Sequence, residues 1–147
     1  YMVDKKYPKR YIPKSLSKED KEKQKKQLDK STSDYKKGKY TKRDKVESFK
    51  SKKSPYVEQV KKKLDIKTAT TTNIADKLGK TEKRKKEIKK GLELIKDKGE
   101  GAYFSSGSRP NQTPQSWGIG RYSSVLVGGP SRKIDKKIVD KYDIPKI

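Results

Sequence analysis

The sequence contains no histidine and no cysteine, and these absences exclude most of the side-chain chemistry that enzymes use. Without histidine the chain has no imidazole base, and it lacks the common nitrogen ligand for zinc and iron. Without cysteine it has no thiolate nucleophile, no disulfide and no sulfur ligand for a metal. We therefore expect no catalytic residue, cofactor, metal or small-molecule substrate, and we interpret the chain as a binding or structural protein.

Apolar residues are also scarce. They make up 27% of the sequence, whereas globular chains contain roughly 45–50%. The longest purely aliphatic run covers residues 125–127, far short of the roughly 20 residues that cross a bilayer, so we expect no membrane span. Few apolar residues and a high net charge are typical of chains that cannot offset their conformational entropy alone. We therefore expect contacts with partners to order this chain.

What the chain has in excess is positive charge. Forty-two Lys and Arg face nineteen Asp and Glu, which gives a formal charge of +23 over 147 residues. Lysine runs at 21–30 and 83–90 can neutralise phosphates and release counterions from DNA, or dock on an acidic protein surface. In the plainer interpretation they are solvated helix faces with Glu–Lys pairs. Acidic residues are interspersed with the lysines, which favours the protein surface over DNA.

The composition divides the chain near Gly99. Seven of the ten glycines lie between residues 99 and 131, where only three residues are charged. We predict a mainly α fold with an extended arm and basic helix at 1–54 and a helical segment at 55–98. A Gly/Ser-rich, low-charge loop and helix follow at 99–131, and a C-terminal helix and tail at 132–147. The later helices form a small C-terminal module in this interpretation.

Capping residues mark the helix boundaries. Ser17 is a candidate N-cap and Gly38 a natural stop, which predicts a first helix over about 18–37. Ser54 followed by Pro55 predicts a second helix start. The pair Thr113-Pro114 predicts another, and Ser131 is expected to cap one last helix.

The middle of the chain predicts two helices around Gly79. A short helix over 74–78 ends at this glycine, and Thr81 opens a helix whose Ile88, Leu92 and Ile95 share one face. The spacing is similar to that of a DNA-binding helix-turn-helix. However, Lys80 and Lys85 fall where that motif buries apolar side chains, which favours an ordinary helix hairpin.

The Gly/Ser-rich segment contains aromatic residues that are candidates for an interface. Tyr103, Phe104 and Trp117 lie in or beside it, together with Arg109. These residue types are the ones expected at interface hot spots. Glycines and serines beside Arg109 can also form a phosphate-binding nest. The Lys-Ser/Thr pair of a P-loop is missing, so nothing here supports nucleotide hydrolysis.

Four segments together resemble a known group of viral proteins. They read YIPKSLSKED at 11–20, YKKGKY at 35–40, SFKSKKS at 48–54 and GAYFSSGSRPNQT at 101–113. In these segments the chain resembles a small basic protein family of nucleocytoplasmic large DNA viruses, with members in chlorella-virus-like and mimivirus-like genomes. The family has no assigned enzymatic activity. The resemblance implies a virion protein that is assembled in the host cell, and no catalytic residue is carried over from it.

Composition and resemblance together suggest a minor capsid protein that bridges major capsid capsomers on the inner side of an icosahedral shell. The expected partners are the major capsid protein and other minor capsid proteins, with viral DNA as a further candidate. The alternative function is a basic protein that condenses or packages viral DNA in the core. The residues expected to bind partners are aromatic or basic: Tyr7, Tyr11, Lys21, Lys25, Tyr103, Phe104, Arg109, Trp117 and Arg121.

Overall fold

The computed structural model describes residues 7–50 and 53–147. Seven α-helices and no strand occur in these described ranges, so the predicted mainly α fold is confirmed. The chain divides into two compact units. The first unit comprises Tyr1–Lys52 and Gly101–Pro114, and the second comprises Lys53–Glu100 and Gln115–Ile147.

The first unit is built around helix α1, Lys18–Lys36. The Ser17 side chain caps it and accepts a hydrogen bond from the Asp20 amide at 3.1 Å. Glu19 and Asp20 lie in the first turn, where negative charge interacts favourably with the helix dipole. The bounds agree with the prediction to within one residue, because both ends are set by local signals.

The segment before α1 is not the extended arm that the sequence predicted, at least over residues 7–16. It contains turns, including a hydrogen bond from the Tyr11 amide to the Pro8 carbonyl at 2.9 Å. Tyr11 is only 7% exposed and Leu16 is buried. The Gln24 side chain of α1 donates to the Tyr11 carbonyl at 3.2 Å. This segment therefore folds onto α1, and residues 1–6 of the predicted arm lie outside the described residues.

The remaining six helices belong wholly or mainly to the second unit. They are α2 Pro55–Leu64, α3 Thr71–Leu78, α4 Glu82–Ser105, α5 Pro114–Leu126, α6 Ser131–Ile134 and α7 Lys136–Tyr142. The hydroxyls of Ser54 and Thr70 cap α2 and α3. The helix predicted over 74–78 therefore begins three residues earlier, because Thr70 caps it.

The second unit has an apolar core. Twelve buried residues form one cluster, to which α4 contributes Ile88, Leu92 and Ile95 as the predicted stripe. Tyr122 of α5 lies in the same cluster, and its hydroxyl donates to the Ala69 carbonyl. Burial raises the pKa of this hydroxyl above its ordinary value. The few apolar residues of the sequence are thus concentrated at buried positions, which overall composition does not reveal.

Helix α4 is longer than predicted. The prediction of a loop from residue 99 onward is therefore wrong for the first seven residues of that segment. It continues to Ser105 through Gly99 and Gly101. A Cβ atom on Gly99 would lie 2.7 Å from the Cα atom of Gly118 in α5, so at this point the two backbones touch. The glycine serves this helix crossing, and packing outweighs the low helix propensity of glycine.

The predicted last helix is two helices, α6 and α7, separated at Asp135. Ser131 does not cap α6, because the N-cap position is Pro130. The Ser131 amide instead donates to the Ser124 hydroxyl at 3.3 Å. The Asp135 side chain is fully buried against Arg121, and its backbone leaves helical geometry at φ −100° and ψ 25°. The break between the two helices therefore coincides with a buried ion pair.

Candidate partner-binding site

A cationic groove of about 580 Å³ lies in the first unit. Three segments of the chain line it, and its lining residues are Arg10, Pro13, Ser15, Ser48, Phe49, Lys50, Arg109 and Gln112. Three of these side chains are positively charged and none is acidic. Pro13 and Phe49 supply apolar surface between the charges. We refer to this feature as the cationic groove.

Asn111 joins two segments that line the cationic groove. Its side-chain oxygen accepts from the Val46 amide at 2.7 Å, and its side-chain nitrogen donates to the Val46 carbonyl at 3.1 Å. The same nitrogen lies 3.5 Å from the Phe49 carbonyl. Asn111 has a left-handed backbone with φ +62°, a conformation that asparagine tolerates better than most residues. The loop after α4 is thereby fixed to the segment that carries Phe49 and Lys50.

Asp20 ties the same segment to the beginning of α1. Its carboxylate accepts hydrogen bonds from both the amide and the hydroxyl of Ser48, the former at 2.8 Å. The Ser48 hydroxyl also accepts from the Ser17 amide at 3.0 Å. The hydrogen bonds from Ser48 hold the pKa of the Asp20 carboxyl below its usual range. The groove therefore has its shape before any partner binds.

The basic groups of the groove are available to a ligand. Arg10, Lys50 and Arg109 are all exposed, and none forms an ion pair within residues 7–50 and 53–147. Arg10 is positioned by its own neighbour, since its guanidinium carbon lies 5.0 Å from the centroid of the Tyr11 ring. Three uncompensated cations around apolar surface suit an anionic partner that also has an apolar contact to make.

Arg43 connects α1 with the end of α4 and with the segment that follows it. Its guanidinium donates to the Ser31 hydroxyl at 2.7 Å, the Tyr103 carbonyl at 2.9 Å and the Ser108 hydroxyl at 2.7 Å. The guanidinium carbon also lies 3.8 Å from the centroid of the Tyr103 ring. Burial lowers the pKa of Arg43, although an arginine remains charged in proteins. We call these four residues the Arg43 cluster.

The predicted aromatic anchors differ in their accessibility. Tyr11 and Tyr103 are 7% and 1% exposed, so they stabilise the first unit itself and are not available to a partner in this conformation. Phe104 and Trp117 are half-buried. Tyr7 is half-buried too, and its hydroxyl donates to the Asp29 carboxylate at 2.6 Å. Burial and this hydrogen bond raise the pKa of Tyr7 to about 12.

The predicted basic residues also occupy different environments. Arg109 lies in the cationic groove, as an interface residue would. Lys21 and Lys25 are half-buried on α1. Arg121 instead donates two hydrogen bonds to the buried Asp135 carboxylate, at 2.8 and 2.9 Å. Its role is therefore internal to the second unit, which corrects the expectation that it pairs with a partner.

Sequence reasoning missed several residues of the groove and its support. Phe49 and Lys50 belong to the SFKSKKS segment at 48–54, but nothing in the sequence connects them with Arg109. Arg43 and Asn111 act on residues about 60 positions away, namely Tyr103 and Val46. Such pairings leave no periodic signal in a single sequence. Co-variation between these positions is the signal that would identify them.

Within the described ranges, no cluster of acidic side chains suitable for a metal ion occurs. No helix in that part of the chain is both long and apolar enough to cross a membrane. Comparison with known proteins adds no assignment, because no family model, curated protein or solved structure matches the chain.

Proposed function

We propose that this chain is a structural protein that binds acidic protein surfaces through the cationic groove. In the context of the viral resemblance, it acts as a minor capsid protein that bridges or cements major capsid capsomers on the inner side of the shell. The observation that supports this proposal best is a groove whose lining residues include three cations and no acidic side chain. The resemblance supports the virion context, and the groove supports the mode of binding.

The composition of the groove favours a protein partner over a bare phosphate backbone. Phe49 and Pro13 contribute apolar surface next to Arg10 and Arg109. Aromatic residues and arginine are enriched at the centres of protein interfaces. Phosphate contacts need only positive charge, so the apolar part of the groove would have no role on duplex DNA. An acidic segment with one apolar side chain uses both parts of the groove.

The proposal is tested by cross-linking inside particles that contain the protein. Carbodiimide cross-linking, which joins a lysine amine to a carboxylate that it contacts, followed by mass spectrometry should connect Lys50 of the groove to acidic residues of shell subunits. Disruption of the particles should leave the protein with the shell. Exclusive release with the genome, without shell cross-links, would contradict the proposal and support DNA condensation instead.

A binding measurement with matched variants locates the contact. Arg109→Glu should weaken co-sedimentation with isolated shell subunits by more than about fivefold, the effect of losing a contact worth more than ~1 kcal/mol. Lys137→Glu makes the same charge change at an exposed position of the second unit and should have little effect. Equal losses in both variants would show that net charge, rather than the groove, determines binding.

DNA condensation remains the alternative because of the first half of α4. Exposed lysines lie there at positions 83, 86, 89 and 90. Binding to duplex DNA that neutralises many phosphates shows a steep dependence on salt, whatever the base sequence. A steep, sequence-independent slope in a titration with duplex DNA, together with weak binding to shell subunits, would favour this function.

A further inference from the structure

Four aromatic side chains of the first unit form a continuous series of ring contacts. The ring centroids of Tyr35 and Tyr40 are 5.9 Å apart, and those of Tyr40 and Phe104 are 5.2 Å apart. Phe104 in turn contacts Tyr103 edge to face at 5.1 Å. These distances lie within the range in which aromatic pairs attract each other. We call this series the aromatic cluster.

The inner end of the aromatic cluster is fixed and its outer end is open. Tyr103 is buried, its hydroxyl accepts from the Arg43 amide at 2.9 Å, and the Arg43 guanidinium lies over its ring. Tyr40 is 70% exposed, the highest value among the large hydrophobic side chains of residues 7–50 and 53–147, and Tyr35 is 37% exposed. An exposed aromatic ring held on a rigid base offers a flat surface to a partner at little cost in side-chain entropy.

Lysines flank Tyr40 in the sequence. Those at positions 36, 37, 39 and 42 are exposed, and none forms an ion pair in the part of the chain that the structure describes. The nearby Asp34 carboxylate is engaged with the Thr41 hydroxyl at 2.6 Å. Asp44 is the other acidic residue of this segment. The surroundings of Tyr40 are therefore cationic.

This combination indicates the chemistry of the partner. Lysine is depleted at the centres of protein–protein interfaces, whereas aromatic rings beside cations are the common platform for unpaired nucleobases. Bases in a duplex are stacked on one another and do not expose their faces. We propose that the aromatic cluster is a stacking site for single-stranded nucleic acid, in which a base stacks on Tyr40 and the surrounding lysines contact the adjacent phosphates.

This site is separate from the cationic groove and is an activity beyond the proposed function. None of the four aromatic residues lines the groove, and none of the lysines at 36, 37, 39 and 42 lines it either. Variants of the two sites therefore distinguish the two proposals. Failure of stacking at Tyr40 would leave the binding of shell subunits through Arg109 untouched.

The test measures binding of the full chain to labelled oligothymidylate, oligouridylate and an abasic oligonucleotide of the same length. Tyr40→Ala should weaken binding to the two base-containing strands by about 5- to 100-fold, the usual effect of losing one stacked base. Binding to the abasic strand should be unchanged, because it reports charge alone. If Tyr40→Ala loses affinity for both oligothymidylate and oligouridylate, the site binds single strands in general. If it loses affinity for only one of the two, that one identifies DNA or RNA as the ligand.

Two further variants make the result specific. Tyr40→Phe keeps the ring and should retain binding to the base-containing strands. Ile134→Ala removes an apolar side chain of similar exposure, 67%, from the second unit and should have no effect. Circular dichroism verifies that each variant keeps its helices. The proposal is overturned if Tyr40→Ala changes none of the affinities, or if it weakens abasic and base-containing strands equally.

Discussion

The two units carry a similar excess of positive charge but differ in what holds them together. The first contains 20 basic and 8 acidic residues, and the second contains 22 and 11. The second unit buries a cluster of mostly aliphatic side chains. The first unit buries fewer large apolar residues, and polar side chains connect its segments. Net charge therefore does not determine how a segment of this chain is stabilised.

The polar connections of the first unit are concentrated at a few residues. Arg43 joins α1 to the end of α4, Asn111 joins the following loop to Val46, and Asp20 joins α1 to Ser48. Such networks stabilise a fold when each donor and acceptor is paired, and they are costly when one member is lost. The second unit also has directional contacts, such as Arg121 with Asp135, but its segments share one apolar cluster of twelve buried residues.

The largest effect is expected from the apolar core. Leu92→Ala should lower the free energy of unfolding of the second unit by about 2–5 kcal/mol, because the side chain is fully buried and leaves a cavity. Leu94→Ala is the matched control on the same helix, since Leu94 is 37% exposed. Urea unfolding followed by circular dichroism measures both variants. Equal effects would mean that the second unit has no cooperative apolar core.

A smaller effect, of about 2–3 kcal/mol, is expected for Arg43→Lys in the first unit. Lysine cannot reproduce three hydrogen bonds from a planar guanidinium, and each such bond contributes about 1 kcal/mol. Hydrogen exchange should show faster opening of α1, whereas α3 keeps its protection. Lys42→Arg is a neighbouring exposed control. Unchanged protection of α1 would show that the Arg43 cluster does not stabilise this unit.

High pH should destabilise the first unit through Tyr7. Its pKa is raised to about 12 in the folded chain, against the usual value of about 10 in the unfolded chain. The folded state therefore holds this proton more tightly, and its stabilising contribution is complete below pH ~10 and lost as the pH rises towards about 12. The Tyr7→Phe variant lacks the ionisable hydroxyl but keeps every lysine. Comparing how the stability of the two proteins falls with pH therefore separates the effect of Tyr7 from that of lysine titration. Identical pH profiles of the two proteins would contradict the assignment.

The smallest effect is expected at the surface. Lys136 and Asp140 form an exposed i, i+4 ion pair on α7. Asp140→Asn should change the free energy of unfolding by no more than about 0.5 kcal/mol, because solvent and salt screen such pairs. Thermal unfolding at low and high salt measures this change. A larger loss would indicate that charge pairing stabilises the second unit more than its apolar core suggests.

Local signals in the sequence predicted much of the fold. Ser17 and Gly38 define α1, Ser54 and Pro55 define the start of α2, and the stripe of Ile88, Leu92 and Ile95 lies in the core. These predictions succeed because capping and periodicity act over a few residues. The proposed viral function rests on resemblance and charge and stays a prediction.

The remaining features depend on contacts between distant residues. At Gly99, α4 approaches the backbone of Gly118, and at the break between α6 and α7 the Asp135 carboxylate pairs with Arg121. Of the predicted site residues, only Arg109 lies in the cationic groove. Tyr40 was not predicted as a partner residue, because its exposure follows from how Phe104 and Tyr103 pack. A propensity scale contains none of this information.

The contact between α4 and α5 also limits how this protein can evolve. Most clashes in a protein core can be relieved by a smaller residue on the opposite side, so paired changes open new sequences. At Gly99 the opposing atom is a backbone atom of another glycine, and a Cβ on Gly118 would meet the backbone oxygen of Lys96 at 2.8 Å. No compensating substitution exists, because neither partner can become smaller. Saturation mutagenesis should therefore find both positions restricted to glycine, singly and in combination.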